Sequence, residues 1–138
     1  ICTSVVFIEP DRIDELNIRN ARIEGFHLAI KQLDVEPELI LVDGDIMTDH
    51  FNNEKQLIDY ETIEGGDAKY KSIAAASILA KTYRDRYMIE LDKQFPQYCW
   101  ESNKGYGTQK HMTALKEHGT TEYHRMSYAP CRENRRCP

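Results

Sequence analysis

Leu39-Ile40-Leu41-Val42-Asp43-Gly44 is the stretch on which the fold class turns. Four consecutive apolar residues are too few for a helix. A run of that length closed by Asp-Gly is typical of a strand buried on both faces. On its N-terminal side, Asp11 stands where an N-cap belongs, and Asp14 and Glu15 put negative charge in the first turn. Ile13, Leu16, Ala21, Leu28, Ala29 and Leu33 follow at roughly helical spacing, so a helix is expected over residues 11–33, with Pro37 ending any continuation. Helix followed by buried strand is part of a crossover, which points to an α/β sheet. Residues 5–8 form a short β-branched and aromatic run ended by Glu9 and Pro10, a further strand.

On the C-terminal side, residues 45–55 are polar and aperiodic and read as an exposed loop. Residues 60–63 alternate weakly, a strand followed at once by Gly65, Gly66 and Asp67. Residues 72–95 carry the clearest helical pattern. Ile73, Ala76, Ala80, Tyr83, Tyr87, Leu91 and Phe95 fall at steps of three and four, so one buried face is expected, and Pro96 stops the helix. A loop through Trp100 leads to Lys104-Gly105-Tyr106-Gly107, then to a short helix over residues 109–117 ended by Gly119. The domain expected is 1–130, with 131–138 a basic, frayed tail.

With 138 residues, 41% apolar and 30% charged, the chain has the mix of one globular domain, which disfavours disordered, collagenous and coiled-coil readings. Its apolar runs fall well short of the ~18 residues of a membrane span, and no membrane association is expected. Four cysteines, Cys2, Cys99, Cys131 and Cys137, form no CxxC and are too sparse for a disulfide framework. A reducing, cytoplasmic setting is expected. Zinc held by Cys131 and Cys137 with His118 or His124 would lack a standard signature. Residue 1 is Ile rather than Met, consistent with a processed or partial chain. The net charge of −5 hides a split: residues 1–66 hold 5 Lys/Arg against 15 Asp/Glu, residues 67–138 hold 13 against 8. Two unevenly solvated faces would explain it, and so would a basic groove beside a carboxylate cluster.

Ligands gather at the carboxyl ends of strands in open α/β sheets, which singles out Asp43. Asp67 has the equivalent place after the next strand. Together the two carboxylates offer hard oxygen donors to divalent metals, although each also suits a simple turn. Lys69, Lys71 and Ser72, at a helix N-terminus, are placed to meet phosphate or to form a solvated basic turn. In Lys104-Gly105-Tyr106-Gly107-Thr108 a tyrosine lies between two glycines. Its ring would stack on a base or sugar and its hydroxyl meet a 2′-OH, or it would anchor a turn. Arg84, Asp85 and Arg86 are explained by surface ion pairing. His124 and Ser127 lack a nucleophile elbow.

These residues accumulate into a resemblance. Ile13-Asp14-Glu15-Leu16-Asn17-Ile18, Leu41-Val42-Asp43-Gly44, Gly66-Asp67-Ala68-Lys69, the Ala-Ser-Ile-Leu-Ala-Lys81 helix with Arg84-Asp85, Lys104-Gly105-Tyr106-Gly107-Thr108 and His124-Arg125 are similar, in order and at compatible spacing, to bacterial ribonuclease HII. The resemblance implies an RNase H-like mixed sheet flanked by helices, with a C-terminal helical segment and the first strands of the fold missing here. It implies an endonuclease that cuts the RNA strand of RNA–DNA hybrids, including single ribonucleotides in duplex DNA, with Mn²⁺ or Mg²⁺ on four acidic residues. Two ions would serve, one activating water and the other stabilising the leaving 3′-oxygen. Asp43 and Asp67 carry over as catalytic metal ligands; Tyr106, Lys104, Lys69 and Ser72 are expected on nucleic acid. Asp85 matches a family position and is expected on the helix surface or behind the ligands. The complete protein is expected to be a monomer. Two departures stand out. The family's adjacent Asp-Glu ligand pair and its Gly-Arg-Gly loop do not occur, since Asp14-Glu15 falls in the helix motif, and Asn103 replaces the family's usual His. Activity of this chain alone is therefore expected to be low, with a noncatalytic nucleic-acid-binding remnant as the alternative.

Overall fold

In the computed structural model, which describes residues 2–135, the stretch from Leu39 is strand β1 (Leu39–Asp43). The intervening segment carries a two-residue strand, β2 (His50–Phe51), and leads to β3 (Leu57–Ile63). β1 runs parallel to β3 with Leu39 opposite Asp59 and Asp43 opposite Ile63, while β2 pairs antiparallel with His50 opposite Ile58. The sheet order is β1-β3-β2, a mixed sheet as expected for the fold class. The described residues form two compact units: residues 2–8 with Leu16–Ala80, and Glu9–Glu15 with residues 81–135.

In the first unit, Ile40 and Val42 are buried with Met47 and Ile58, and Phe26, Ile30 and Tyr60 pack against them. Burying an Ile or Val side chain contributes about 1.5–3 kcal/mol, which fixes the face that β1 turns inward. Burial alternates along the strand: Leu39 and Asp43 are exposed and Leu41 is half-buried. The expectation of a strand buried on both faces is corrected to one covered face. The single helix expected over 11–33 is two, α1 (Pro10–Leu16) and α2 (Ile18–Lys31). Asn17 has φ 67° and ψ 162°, which breaks the helix, and its side chain accepts from the backbone N–H groups of Arg19 and Asn20 at 3.0 and 3.1 Å. It is the N-cap of α2. Asp11, expected as a cap, lies inside the first turn of α1. Residues 5–8 join no ladder, since a strand exists only by pairing and none is formed there. The 45–55 loop is not wholly exposed, because Met47 and His50 are buried.

The longest helix, α3 (Lys71–Gln94), departs from its expected stripe. Ile73 and Leu91 are buried, but Ala76, Ala80 and Tyr83 are exposed. In the second unit Leu91, Tyr98, Trp100, Ala114, Leu115 and Cys131 form the core, with Phe95 and Tyr123 packed against it. Tyr98 is buried and donates its hydroxyl to the Gly119 carbonyl at 2.9 Å. A 3-10 turn (Pro96–Tyr98) and α4 (Trp100–Asn103) lead to α5 (Gln109–His118), capped by Thr108 and ended at Gly119. A last helix, α6 (Ala129–Glu133), buries Cys131, so the expected tail begins inside a packed helix. Residues 136–138 lie outside the described residues. No helix among the described residues is long and apolar enough to cross a membrane.

Candidate functional site

Asp43 ends β1, and the chain leaving the neighbouring end of β3 turns through a 3-10 segment, Gly66–Ala68, that contains Asp67. The parallel register sets Asp43 beside Ile63, and the ladder continues one step further as Gly44 N–H donates to the Ile63 carbonyl at 3.0 Å. The Gly66 N–H donates to Asp43 Oδ1 at 2.9 Å, tying the first carboxylate to the residue before the second. A side chain at this point would be crowded. An added Cβ would meet Ile73 Cδ1 at 2.7 Å and Asp43 Oδ1 at 3.4 Å.

Both carboxylates are exposed. Among the described residues neither is ion-paired. One Asp43 oxygen is thus held by a backbone N–H. Hard oxygen donors of this kind suit Mg²⁺ or Mn²⁺, and Mg²⁺ in particular keeps much of its water and binds through one or two carboxylates plus substrate phosphate. No group of three or more His, Cys, Asp or Glu placed to hold a metal occurs among the described residues. The zinc alternative needs Cys137, which lies outside the described residues. Lys69 folds back on the same turn, its Nζ donating to the Glu64 carbonyl at 2.8 Å. Ser72 is the second residue of α3 and is exposed.

In the second unit, the Lys104–Tyr106 turn is built on a buried amide. Asn103 is 6% exposed. Its Nδ2 donates to the Tyr98 carbonyl at 2.7 Å, its Oδ1 accepts from Gly105 N–H at 2.8 Å, and its carbonyl accepts from Tyr106 N–H at 2.9 Å. Gly105 has φ +80°, open to glycine but strained for other residues, and a Cβ there would stand 3.3 Å from Met88 Cε and 3.4 Å from Arg84 Nη2. The Tyr106 ring is 65% exposed, with the Arg84 guanidinium 5.0 Å from its centroid, a cation–π distance. Lys104 donates Nζ to the Glu101 carbonyl. Asp85 pairs with Lys81 at 2.5 Å, and that hydrogen bond, opposed by desolvation and aided by the charges of Lys81, Lys104 and Arg84, lowers its pKa. Sequence reading assigned Arg84 only to surface ion pairing and missed its place over Tyr106.

The adjacent Asp14 and Glu15 are occupied elsewhere. Asp14 accepts from the Met126 N–H at 2.5 Å, the Ser127 N–H at 3.0 Å and the Ser127 hydroxyl at 2.5 Å. Burial works to raise its pKa, but these bonds and the Arg125 charge outweigh it and hold it below the ordinary value. Glu15 pairs with Arg12 at 2.7 Å. His124 is buried, and its Nδ1 accepts from the Thr121 N–H at 3.0 Å, so it forms no triad with Ser127. Desolvation first, then the nearby His111, push its pKa down to about 4.

Comparison with known proteins gives a consistent result. A family model described as Ribonuclease HII matches residues 2–131. The ribonuclease HII of Phocaeicola vulgatus is 50% identical over 125 residues, covering 91% of this chain and 60% of the relative. That of Bacteroides thetaiotaomicron has the same identity and coverage. The Porphyromonas gingivalis ribonuclease HII is 47% identical over 121 residues, covering 88% and 58%. The chain thus spans about 60% of the length of the curated relatives it matches. Among solved structures, the ribonuclease H2 from Pyrococcus horikoshii superposes with a TM-score of 0.76 at 22% identity, covering 94% of this chain and 66% of that one, a likeness of fold.

Proposed function

The chain belongs to the ribonuclease HII family, and from that premise we propose that it carries the Asp43 and Asp67 part of a divalent-metal site for cutting RNA. The substrate is the RNA strand of an RNA–DNA hybrid, or a single ribonucleotide embedded in duplex DNA, and the products end in 3′-hydroxyl and 5′-phosphate. The observation that carries the reading is the 2.9 Å bond from Gly66 N–H to Asp43 Oδ1, which fixes one carboxylate against the turn holding the other.

Bound there, Mn²⁺ or Mg²⁺ would supply an activated water and stabilise charge on the leaving oxygen. Asp43 presents its remaining oxygen and Asp67 its carboxylate to that cation. Lys69 and Lys104 bring positive charge toward backbone phosphates, an attraction that weakens with salt. Ser72, in the first turn of α3, offers a hydroxyl to a backbone phosphate beside Lys69. Tyr106 presents an exposed ring to a sugar or base and its hydroxyl to the 2′-OH, the group that separates RNA from DNA.

A second reading is a noncatalytic nucleic-acid binder, favoured by the commitment of Asp14 to Met126 and Ser127 and by the absence of a three-ligand cluster among the described residues. A cleavage assay with Mn²⁺ on a duplex bearing one ribonucleotide separates the two. The metal-site reading predicts slow cutting that Asp43→Asn and Asp67→Asn both remove. Salt-sensitive binding that needs no metal and survives Asp67→Asn, with no cutting by the parent chain, supports the second.

A further inference from the structure

Two histidines in the first unit have no part in the site proposed above. His27 lies on α2 and His50 on β2, and their Nδ1 atoms are 2.6 Å apart. The rings are within 13° of parallel with centroids 4.9 Å apart. The centroid separation exceeds the nitrogen contact by about the two ring radii. The imidazoles therefore meet edge to edge in nearly one plane, with the two Nδ1 atoms in line, which is the geometry of an N–H···N hydrogen bond. His50 is 5% exposed, and His27 Nε2 lies 2.9 Å from Thr48 Oγ1.

An imidazole nitrogen donates only when it carries a proton and accepts only when it does not. One proton between the two Nδ1 atoms makes the bond, whether the pair is neutral or carries one charge. Thr48 can serve either tautomer of His27, because a hydroxyl both donates and accepts. When both imidazoles are charged, each Nδ1 carries its own proton. The bond is then lost and two cations face each other.

We propose that His27 and His50 form an acid-released clasp between α2 and β2, closed by one proton shared between their Nδ1 atoms and opened when each ring is protonated. Burial, then the mutual approach of the rings and the Lys31 charge, lowers the pKa of His27. Burial and Lys31 likewise lower that of His50, against an opposing pull from Glu36. The charged groups facing the pair are thus Lys31 of α2 and Glu36 of the loop after it. With both pKa values depressed in the folded state, the clasp is intact above the ordinary histidine range and is lost as pH falls below it. Because β2 holds the sheet only through β3, release frees the outer edge of the strand whose far end leads to Gly66 and Asp67.

A histidine-selective ¹⁵N NMR titration of the full chain, with amide exchange followed in parallel, tests the clasp. The expected result is a trans-hydrogen-bond coupling between the two Nδ1 atoms at neutral pH. It should disappear on acidification while exchange at residues 50–51 and 57–58, corrected for the intrinsic pH effect, accelerates by about tenfold per pH unit. His27→Gln, which cannot take the second charge, should remove that acid step. Independent titration of the two rings without coupling at neutral pH overturns the proposal, and so does unchanged exchange at β2 once both rings are charged.

Discussion

A methyl group added at Gly66 would stand 2.7 Å from Ile73 Cδ1, and Ile73 is only 5% exposed. The isoleucine has little room to give, so overpacking of this kind should cost about 1–3 kcal/mol. Gly66→Ala is expected to lower the urea midpoint accordingly without changing the slope, and to disturb the N–H that orients Asp43. Asp43 and Asp67 were legible in the sequence because each closes a strand with small turn residues beside it. The reason for glycine at 66 was only half legible: a tight turn could be read, the side chain of a residue seven positions on could not. Asn103 was less legible still. It stood out only as a departure from a family histidine, whereas its amide is spent on Tyr98 and Gly105. Bonding of that kind, to backbone groups five and two residues away, leaves no periodic trace.

The helices show the same division. Length and end signals placed α5 within a residue, since Thr108 and Gly119 are local caps. Asn17 is also a cap, but it lies in an otherwise helical stretch, where the pattern of Ile13, Leu16 and Ala21 continues across it. Its backbone, at φ 67° and ψ 162°, lies in a region that glycine adopts readily and other residues rarely, so the cap holds Asn in a strained conformation. Asn17→Ala is therefore expected to cost about 0.5–2 kcal/mol, from the lost cap, and Asn17→Gly only a few tenths. Thermal unfolding of the two variants measures the difference. In α3 the apolar spacing was read correctly as helical and incorrectly as one buried face, because periodicity reports which residues share a side and not whether anything covers it. Ala76, Ala80 and Tyr83 share that side and are exposed.

At the scale of the whole molecule, each unit has its own core, and the core of the second is unusually rich in rings. His124 packs among Tyr98, Trp100 and His111, with ring centroids 4.9 to 5.4 Å away. Its Nε2 finds no hydrogen-bond partner among the described residues. An imidazole held at about 4 when folded and near its ordinary value when unfolded binds fewer protons in the native state between those limits. Its contribution is fully present above the ordinary value and disappears as pH falls to about 4, a loss of roughly 3 kcal/mol. The lowered pKa of His111 adds in the same direction. Denaturant unfolding at pH 7, 5 and 4 should show this loss, and His124→Phe should flatten it. The fold class was legible because a four-residue apolar strand beside a helical pattern admits few architectures. The interior of the second unit was not, because its rings come from segments far apart in the chain.

The proposed site joins Asp43 and the turn of Asp67 around one divalent cation. It is tested most directly by adding Mn²⁺ to the ¹⁵N-labelled chain and following paramagnetic broadening of amide resonances. The predicted result is selective loss of signal at residues 43–44 and 66–68, with affinity reduced at least about tenfold by either Asp43→Asn or Asp67→Asn, since even outer partners of a metal site contribute that much. Broadening centred elsewhere, or unchanged in both variants, would contradict it.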